Sequence, residues 1–263
     1  MVIDVNAHIG HYPFRRTKHK TAADLVGLMD KYGVDKSCAA SINAIYYKDS
    51  MQGNYELLDE IAPFADRLLP FCVINPEYNR AKEDFIECVD KLGFKGLRLY
   101  PKQHAYKLDG ELSVELMRIA AEKGVPVHIP ILLEDMRGHH ALDVAVPLDA
   151  EEIKRAALSS PGTDIMLSNE YLQYYARVIE PACKDRPGGV YYDIGRVDCI
   201  YLTSLRDLVR EAGYGRLLFG TGAPLQNMAV QFVKLHYMQA IMWTTPEQIE
   251  AITSGNAARV INL

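Results

Sequence analysis

VIDVNAHIG, residues 2–10, sets the frame for reading this chain. Its apolar residues begin on alternate positions, so it reads as a short strand. Asp4, Asn6 and His8 are spaced by two. In a strand that spacing puts all three on one face and turns Val5 and Ala7 to the other. A buried strand that gives a whole face to Asp, Asn and His is not serving an apolar core alone. Polar clusters of this kind concentrate at functional sites, and a hydrogen-bonded network inside a barrel is the plainer alternative.

Seven further stretches read as strands: VDKSCAASI (34–42), LLPFCVINP (68–76), FKGLRLYP (94–101), VPVHIPILL (125–133), TDIMLSN (163–169), GVYYDIGR (189–196) and RLLFGTG (216–222). Segments of helical spacing separate them. Thr21 looks like the cap of TAADLVGLMDKYG, and Gly33, Gly93, Gly124 and Gly213 stand where helices should stop. Further helices are expected from about Gln226 to Ala240 and from Pro246 onward. Strict alternation of strand and helix implies a parallel sheet. Eight units in 263 residues give about 33 residues each, near the repeat of a (β/α)8 TIM barrel. A doubly wound open sheet would carry a glycine-rich phosphate turn after an early strand, whereas the first strand here ends His-Ile-Gly-His. The expected fold class is therefore α/β, a TIM barrel in a single domain over 1–263, with no Pro/Gly/Ser linker dividing it.

Composition narrows the function classes. A net charge of −5 argues against a general nucleic-acid binder. No apolar run approaches the roughly 18–20 residues of a membrane span. The first residues lack the basic segment and apolar run of a signal peptide. Cys38, Cys72, Cys88, Cys183 and Cys199 form no CxxC pair, which excludes zinc-finger sites and suggests reduced thiols in a cytoplasmic protein. FVKLHYMQAIMW (232–243) reads as a largely apolar final helix, in which Trp243 is expected to serve core packing or a homo-oligomer contact. Tyr171, Tyr174 and Tyr175, early on the helix after Asn169, read as helix packing, with lining of the mouth as the alternative.

In a TIM barrel the site lies at the C-terminal ends of the strands. The backs of the strands face helices and should be apolar, so polar residues at alternate positions point inward. In the fourth strand Leu97 and Leu99 face the helices, and Arg98 and Tyr100 point in. In the fifth, Val127, Ile129 and Ile131 face out, leaving His128 and Pro130 inside. In the seventh, Tyr191 and Asp193 point in. Asn169 ends the sixth strand, and Thr221 and Gly222 end the eighth. One mouth should thus collect Asn6, His8, Arg98, Tyr100, His128, Asn169 and Asp193. The loop after the fifth strand, LEDMRGHHALD (133–143), carries Glu134, Asp135, Arg137, His139 and His140 towards the same face.

Taken together, these stretches resemble the amidohydrolase superfamily, in its amidohydrolase-related group of small metal-dependent hydrolases and decarboxylases. VIDVNAHIG is similar to the family's opening Asp-x-His-x-His strand. GFKGLRLYP, GVPVHIPI, RLLFGTGAP and GNAARVINL are similar to its fourth, fifth and eighth strands and its closing helix. The resemblance implies a metal-dependent-hydrolase-like TIM barrel. It also matches the family's metal-site positions to Asn6, His8, Pro130, Asn169 and Gly222, of which His8 alone keeps the family's residue type. A catalytic zinc site needs about three His or carboxylate ligands and an open position. No cofactor is therefore expected. The superfamily is understood to include a lactonase that works without metal. The expected activity is hydrolysis of a lactone, amide or related bond, or decarboxylation, on a small anionic substrate. In this reading His8, His128, Asp193, Asn6 and Asn169 are catalytic, and Arg98, Tyr100, Arg137, Glu134, His139 and His140 bind substrate. Two alternatives stand beside it: a rebuilt site holding a divalent ion, such as zinc, on His8 with His128 and Asp193, and a non-catalytic small-molecule-binding protein on the same scaffold.

Overall fold

The computed structural model describes residues 1–197 and 203–263. Strands β1 (Ile3–Ile9), β2 (Lys36–Ser41), β3 (Leu68–Val73), β4 (Gly96–Arg98), β5 (Val127–Pro130), β6 (Ile165–Ser168), β7 (Val190–Asp193) and β8 (Leu217–Leu218) lie side by side in chain order. Every neighbouring pair is parallel. The sheet then returns on itself. The Val5 amide donates to Phe219 O at 2.9 Å, the His8 amide to Ala223 O at 2.8 Å, and the Gly222 amide to Asn6 O at 2.7 Å. The result is the nearly closed (β/α)8 barrel that the alternation implies.

Helices α1 (Ala22–Tyr32), α2 (Ile42–Tyr46), α3 (Ser50–Ile61), α4 (Ala81–Asp90), α5 (Glu111–Glu122), α6 (Ala150–Ser159), α7 (Leu172–Cys183) and α8 (Thr203–Ala212) fill the crossovers. After β8 come α9 (Ala229–Met242), α10 (Pro246–Glu250) and α11 (Asn256–Val260). Cys199 and the expected helix start at Tyr201 lie outside the described residues. Local chemistry sets the ends. Thr21 Oγ1 accepts from the Asp24 amide at 3.1 Å while the Asp24 carboxylate accepts from the Thr21 amide, and Gly33 ends α1 at φ 73°.

The strands separate two apolar layers. Leu97, Leu99, Val127, Ile129, Val190, Tyr192 and Ile194 pack outward against the helices. Ile3, Val5, Cys38, Phe71, Met166 and Leu218 fill the barrel itself. Each large side chain buried in this way contributes roughly 1.5–3 kcal/mol. Gly96 makes room for one of them: a Cβ there would stand 2.1 Å from the Phe71 ring.

Two expectations need correcting. The alternation of β1 is broken, because its register against β2 shifts between Asp4 and Ala7. Val5 therefore packs inside the barrel and Ala7 against the helices. Asp4 sits at the β1–β8 seam, accepting from the Asn6 amide at 2.9 Å and from the Thr221 amide and hydroxyl at 2.8 and 2.6 Å. Trp243 is not core, being 85% exposed just beyond α9.

Candidate functional site

The upper part of the barrel interior is polar. Asn6 and His8 come from β1, Arg98 from the end of β4, His128 from β5 and Asp193 from the end of β7; Tyr100 and Asn169 follow β4 and β6. All seven are at most 1% exposed. Arg98 lies at the centre. Its Nη1 is 2.9 Å from His8 Nε2, and its Nη2 donates to Cys38 O at 3.0 Å and Val5 O at 3.3 Å. The Tyr100 hydroxyl is 3.1 Å from the same His8 nitrogen. A guanidinium only donates, so His8 Nε2 must accept, which places the ring proton on Nδ1 by inference.

A second set of bonds runs beside it. Asn6 Nδ2 donates to Asn169 Oδ1 at 2.9 Å and to Asp193 Oδ2 at 3.0 Å. Asp193 Oδ1 accepts from the Gly195 amide at 2.7 Å. Asn169 holds its place at φ 68°, a left-handed conformation that Asn tolerates better than most residues. Gln226 Nε2 also donates to Asn169 Oδ1, at 3.1 Å. His128 stands slightly apart, with Nε2 2.8 Å from the Ser168 hydroxyl.

Burial moves these groups in opposite directions. It pushes the Asp193 carboxyl up to about 6, against the hydrogen bonds from Asn6 and Gly195. It holds His8 well below the ordinary histidine value, helped by the positive charge of Arg98. His128 is lowered for the same reasons. At neutral pH the mouth therefore holds two uncharged imidazoles, a guanidinium and a largely ionised Asp193.

The loop after β5 is placed differently from its polar neighbours. Glu134 pairs with Arg15 at 2.7 Å, His140 stacks on Phe14, and His139 Nδ1 lies 2.9 Å from Asp143 O. The Tyr12 hydroxyl donates to Asp143 at 3.1 Å. These contacts pin the loop to residues 12–15 over the barrel end. Arg137 reaches sideways instead, to Asp135 at 2.7 Å, and lines an open cleft of about 1010 Å³. The cleft lies between this loop, α7, the turn after β7 and α9. Tyr171, Tyr174 and Tyr175 line it, and Tyr174 is 60% exposed, so these rings are not simply helix packing. Gln226 lines the cleft and bonds Asn169, so its side chain forms the wall between cleft and mouth.

Sequence reading missed Gln226, Arg196 and Lys234. Arg196 donates to Asn169 O at 3.2 Å and pairs with Asp135 at 3.3 Å. Lys234, 3% exposed, donates to Ile194 O at 2.9 Å and to Gly195 O, gripping the end of β7 that carries Asp193. The available signal was weak: Gln226 and Lys234 stand among apolar residues of the segment expected to be helical from about Gln226 to Ala240, and Arg196 at the end of the seventh strand carried none.

The donor set does not fit a catalytic divalent ion. Among the described residues no group of three or more His, Cys, Asp and Glu comes together to hold one. His8 Nε2 already faces a guanidinium, whose charge opposes a second cation there. His128 is engaged with Ser168, and Asp193 with Asn6 and Gly195. Gly222 sits at φ +66°, and a Cβ there would meet Gln226 Cδ at 2.6 Å.

Fold and sequence together place the chain in a family. The amidohydrolase family model matches residues 34–168, just over half of the chain, and the chain belongs to that family. No curated protein matches it in sequence. Solved structures share the whole architecture at low identity. A Staphylococcus aureus protein assigned as an amidohydrolase superposes with TM-score 0.76 at 16% identity, covering 100% of this chain and 99% of that one. A 2,6-dihydroxybenzoate decarboxylase from Rhizobium gives 0.70 at 17%, covering 99% and 98%. A dihydroxybenzoic acid decarboxylase from Polaromonas, holding manganese and the inhibitor 2-nitroresorcinol, gives 0.72 at 18%, covering 100% and 97%. No helix among the described residues is long and apolar enough to cross a membrane.

Proposed function

We propose that the chain is an amidohydrolase-type enzyme acting on a small carboxylated molecule without a bound metal ion, as a hydrolase of lactone, amide or related bonds or as a decarboxylase. The observation that carries this reading is the Arg98 guanidinium 2.9 Å from His8 Nε2, a fixed positive charge beside the histidine that would otherwise serve an ion. Asp193 is the proton-transfer group. With its carboxyl near 6, it is ionised at neutral pH and able to take a proton from an attacking water. Asn6 and Asn169 donate to the developing oxyanion, for which Asn6 Nδ2 exchanges one of its two present acceptors. His8, His128 and Tyr100 orient the neutral part of the network, and Arg98 supplies positive potential from within the barrel. The decarboxylase neighbours support a carboxylated substrate.

Turnover of 2,6-dihydroxybenzoate and of simple lactones, with and without a chelator, tests the proposal. Activity should survive chelation and fall by about a hundredfold or more in Asp193→Asn. Activity lost on chelation and restored by manganese would overturn it. A binding protein without turnover is the second reading, favoured by a mouth whose polar residues are at most 1% exposed and, His128 apart, bonded to one another. Thermal stabilisation by carboxylates with no product formed would select it.

A further inference from the structure

The seven polar residues of the mouth are at most 1% exposed, so a small molecule reaches Asp193 only after some wall moves. Two walls enclose them. The first is the loop after β5 over the barrel end, and it is tied down at several points. Arg15 forks onto both Glu134 oxygens at 2.7 and 3.2 Å and donates to Leu225 O at 2.7 Å, while the Tyr12 hydroxyl holds Asp143 at 3.1 Å. A forked arginine–carboxylate pair is a strong side-chain contact, and lifting the loop must break it together with the others.

The second wall faces the cleft and is one residue thick. Gly195, Arg196 and Gln226 line the cleft, and each bonds directly to a mouth residue. The Gly195 amide donates to Asp193 at 2.7 Å, Arg196 to Asn169 O at 3.2 Å, and Gln226 Nε2 to Asn169 Oδ1 at 3.1 Å. The first two are held from behind: Lys234 donates to the carbonyls of Ile194 and Gly195, and Asp135 pairs with Arg196 at 3.3 Å. Gln226 is held otherwise. It is partly exposed, and the bond to Asn169 is the one hydrogen bond its side chain makes among the described residues. A neutral bond beside open solvent contributes little net, because water replaces it. Asn169 Oδ1 also keeps its bond from Asn6 Nδ2 at 2.9 Å when Gln226 leaves, so the network around Asp193 survives the movement. We propose that the cleft is the way into the mouth and that Gln226 is its gate, swinging off Asn169 Oδ1 to let a small molecule pass to Asp193. That the passing molecule is a carboxylated substrate rests on the function proposed above; the route rests on the wall alone.

Carbodiimide coupling of glycine ethyl ester to carboxyl groups, located by mass spectrometry on the full chain, tests the route without turnover. The reagent takes a protonated carboxyl, and Asp193, held near 6 by burial, supplies one at about pH 5.5. Exposed Asp66 serves as the reference. Asp4, fully buried at the β1–β8 seam, reports unfolding and should stay unlabelled. Gln226→Met keeps the bulk and drops the bond, and Gln226→Ala removes the side chain. Both should label Asp193 about fivefold or more faster than wild type, the worth of one neutral hydrogen bond. Glu134→Ala, which frees the loop from Arg15, should leave the rate unchanged. Equal rates in wild type and both Gln226 variants, an equal or larger acceleration in Glu134→Ala, or labelling of Asp4 alongside Asp193 would each overturn the proposal. The expected labelling in a chain that turns over no substrate would keep the gate and remove the enzymatic reading instead.

Discussion

Asp193 and His8 lie in the same buried network, yet each is driven towards the form that carries no charge. For Asp193 the consequence is a pH dependence with a definite sign. Its carboxyl is raised from the ordinary 3.8 to about 6, so the native chain holds this proton more tightly than the unfolded one. The stability it contributes is complete below about pH 4 and is lost as pH rises through about 6, on the order of 3 kcal/mol at most. Chemical denaturation from pH 4 to 7 should show that loss in wild type and a smaller one in Asp193→Asn. Identical slopes would remove Asp193 as the titrating group. Arg98 has a different weight. It is fully buried, with Asp4 and Asp193 in the same interior, and its Nη hydrogens go to His8, Asn6, Val5 and Cys38. Arg98→Met should destabilise the fold by about 3 kcal/mol or more, read as a lower denaturant midpoint, because buried acidic groups and carbonyls lose their counterpart.

Strand and helix ends show what could be read from sequence and what could not. The inward set of β4, β5 and β7 was legible because a period of two is a local property, and Arg98, His128 and Asp193 obey it. β1 breaks the same rule. Its bulge follows from pairing with β2 on one side and β8 on the other, and nothing within residues 2–10 announces a seam 217 residues away in sequence. The polarity of α9 was unreadable for a related reason. Gln231 and Lys234 are buried beside Leu235 and Met238, whereas Val233 is 60% exposed and Trp243, just past the helix, 85%. Helical periodicity marks which residues share a face, but contact with the turn after β7 decides that the face carrying Gln231 and Lys234 points in. Lys234→Met should therefore loosen that turn and raise the Asp193 titration, since the lysine charge lowers it; an unchanged NMR titration of Asp193 would contradict this. At β8, Gly222→Ala should cost about 1–3 kcal/mol in denaturant unfolding, from its φ of +66° and the 2.6 Å approach of a Cβ to Gln226. A neutral effect would mean that Gln226 yields freely.

At the scale of the whole molecule, barrel closure converts residues far apart in sequence into one mouth, and that convergence was legible from strand order alone. The cleft was not, because it is made by parts that have no common pattern: the loop after β5, α7, the turn after β7 and α9. Gln226 joins the two regions through Asn169. The family neighbour from Polaromonas holds manganese, while here a guanidinium faces the histidine at the barrel's centre. Calorimetric titration of manganese and of zinc into dialysed protein separates these situations most directly. Substitution of a fixed arginine charge for an ion predicts no stoichiometric uptake of either metal at the mouth, and the same weak heats in wild type and His8→Ala. About one ion per chain, bound by wild type and lost in His8→Ala, would contradict it.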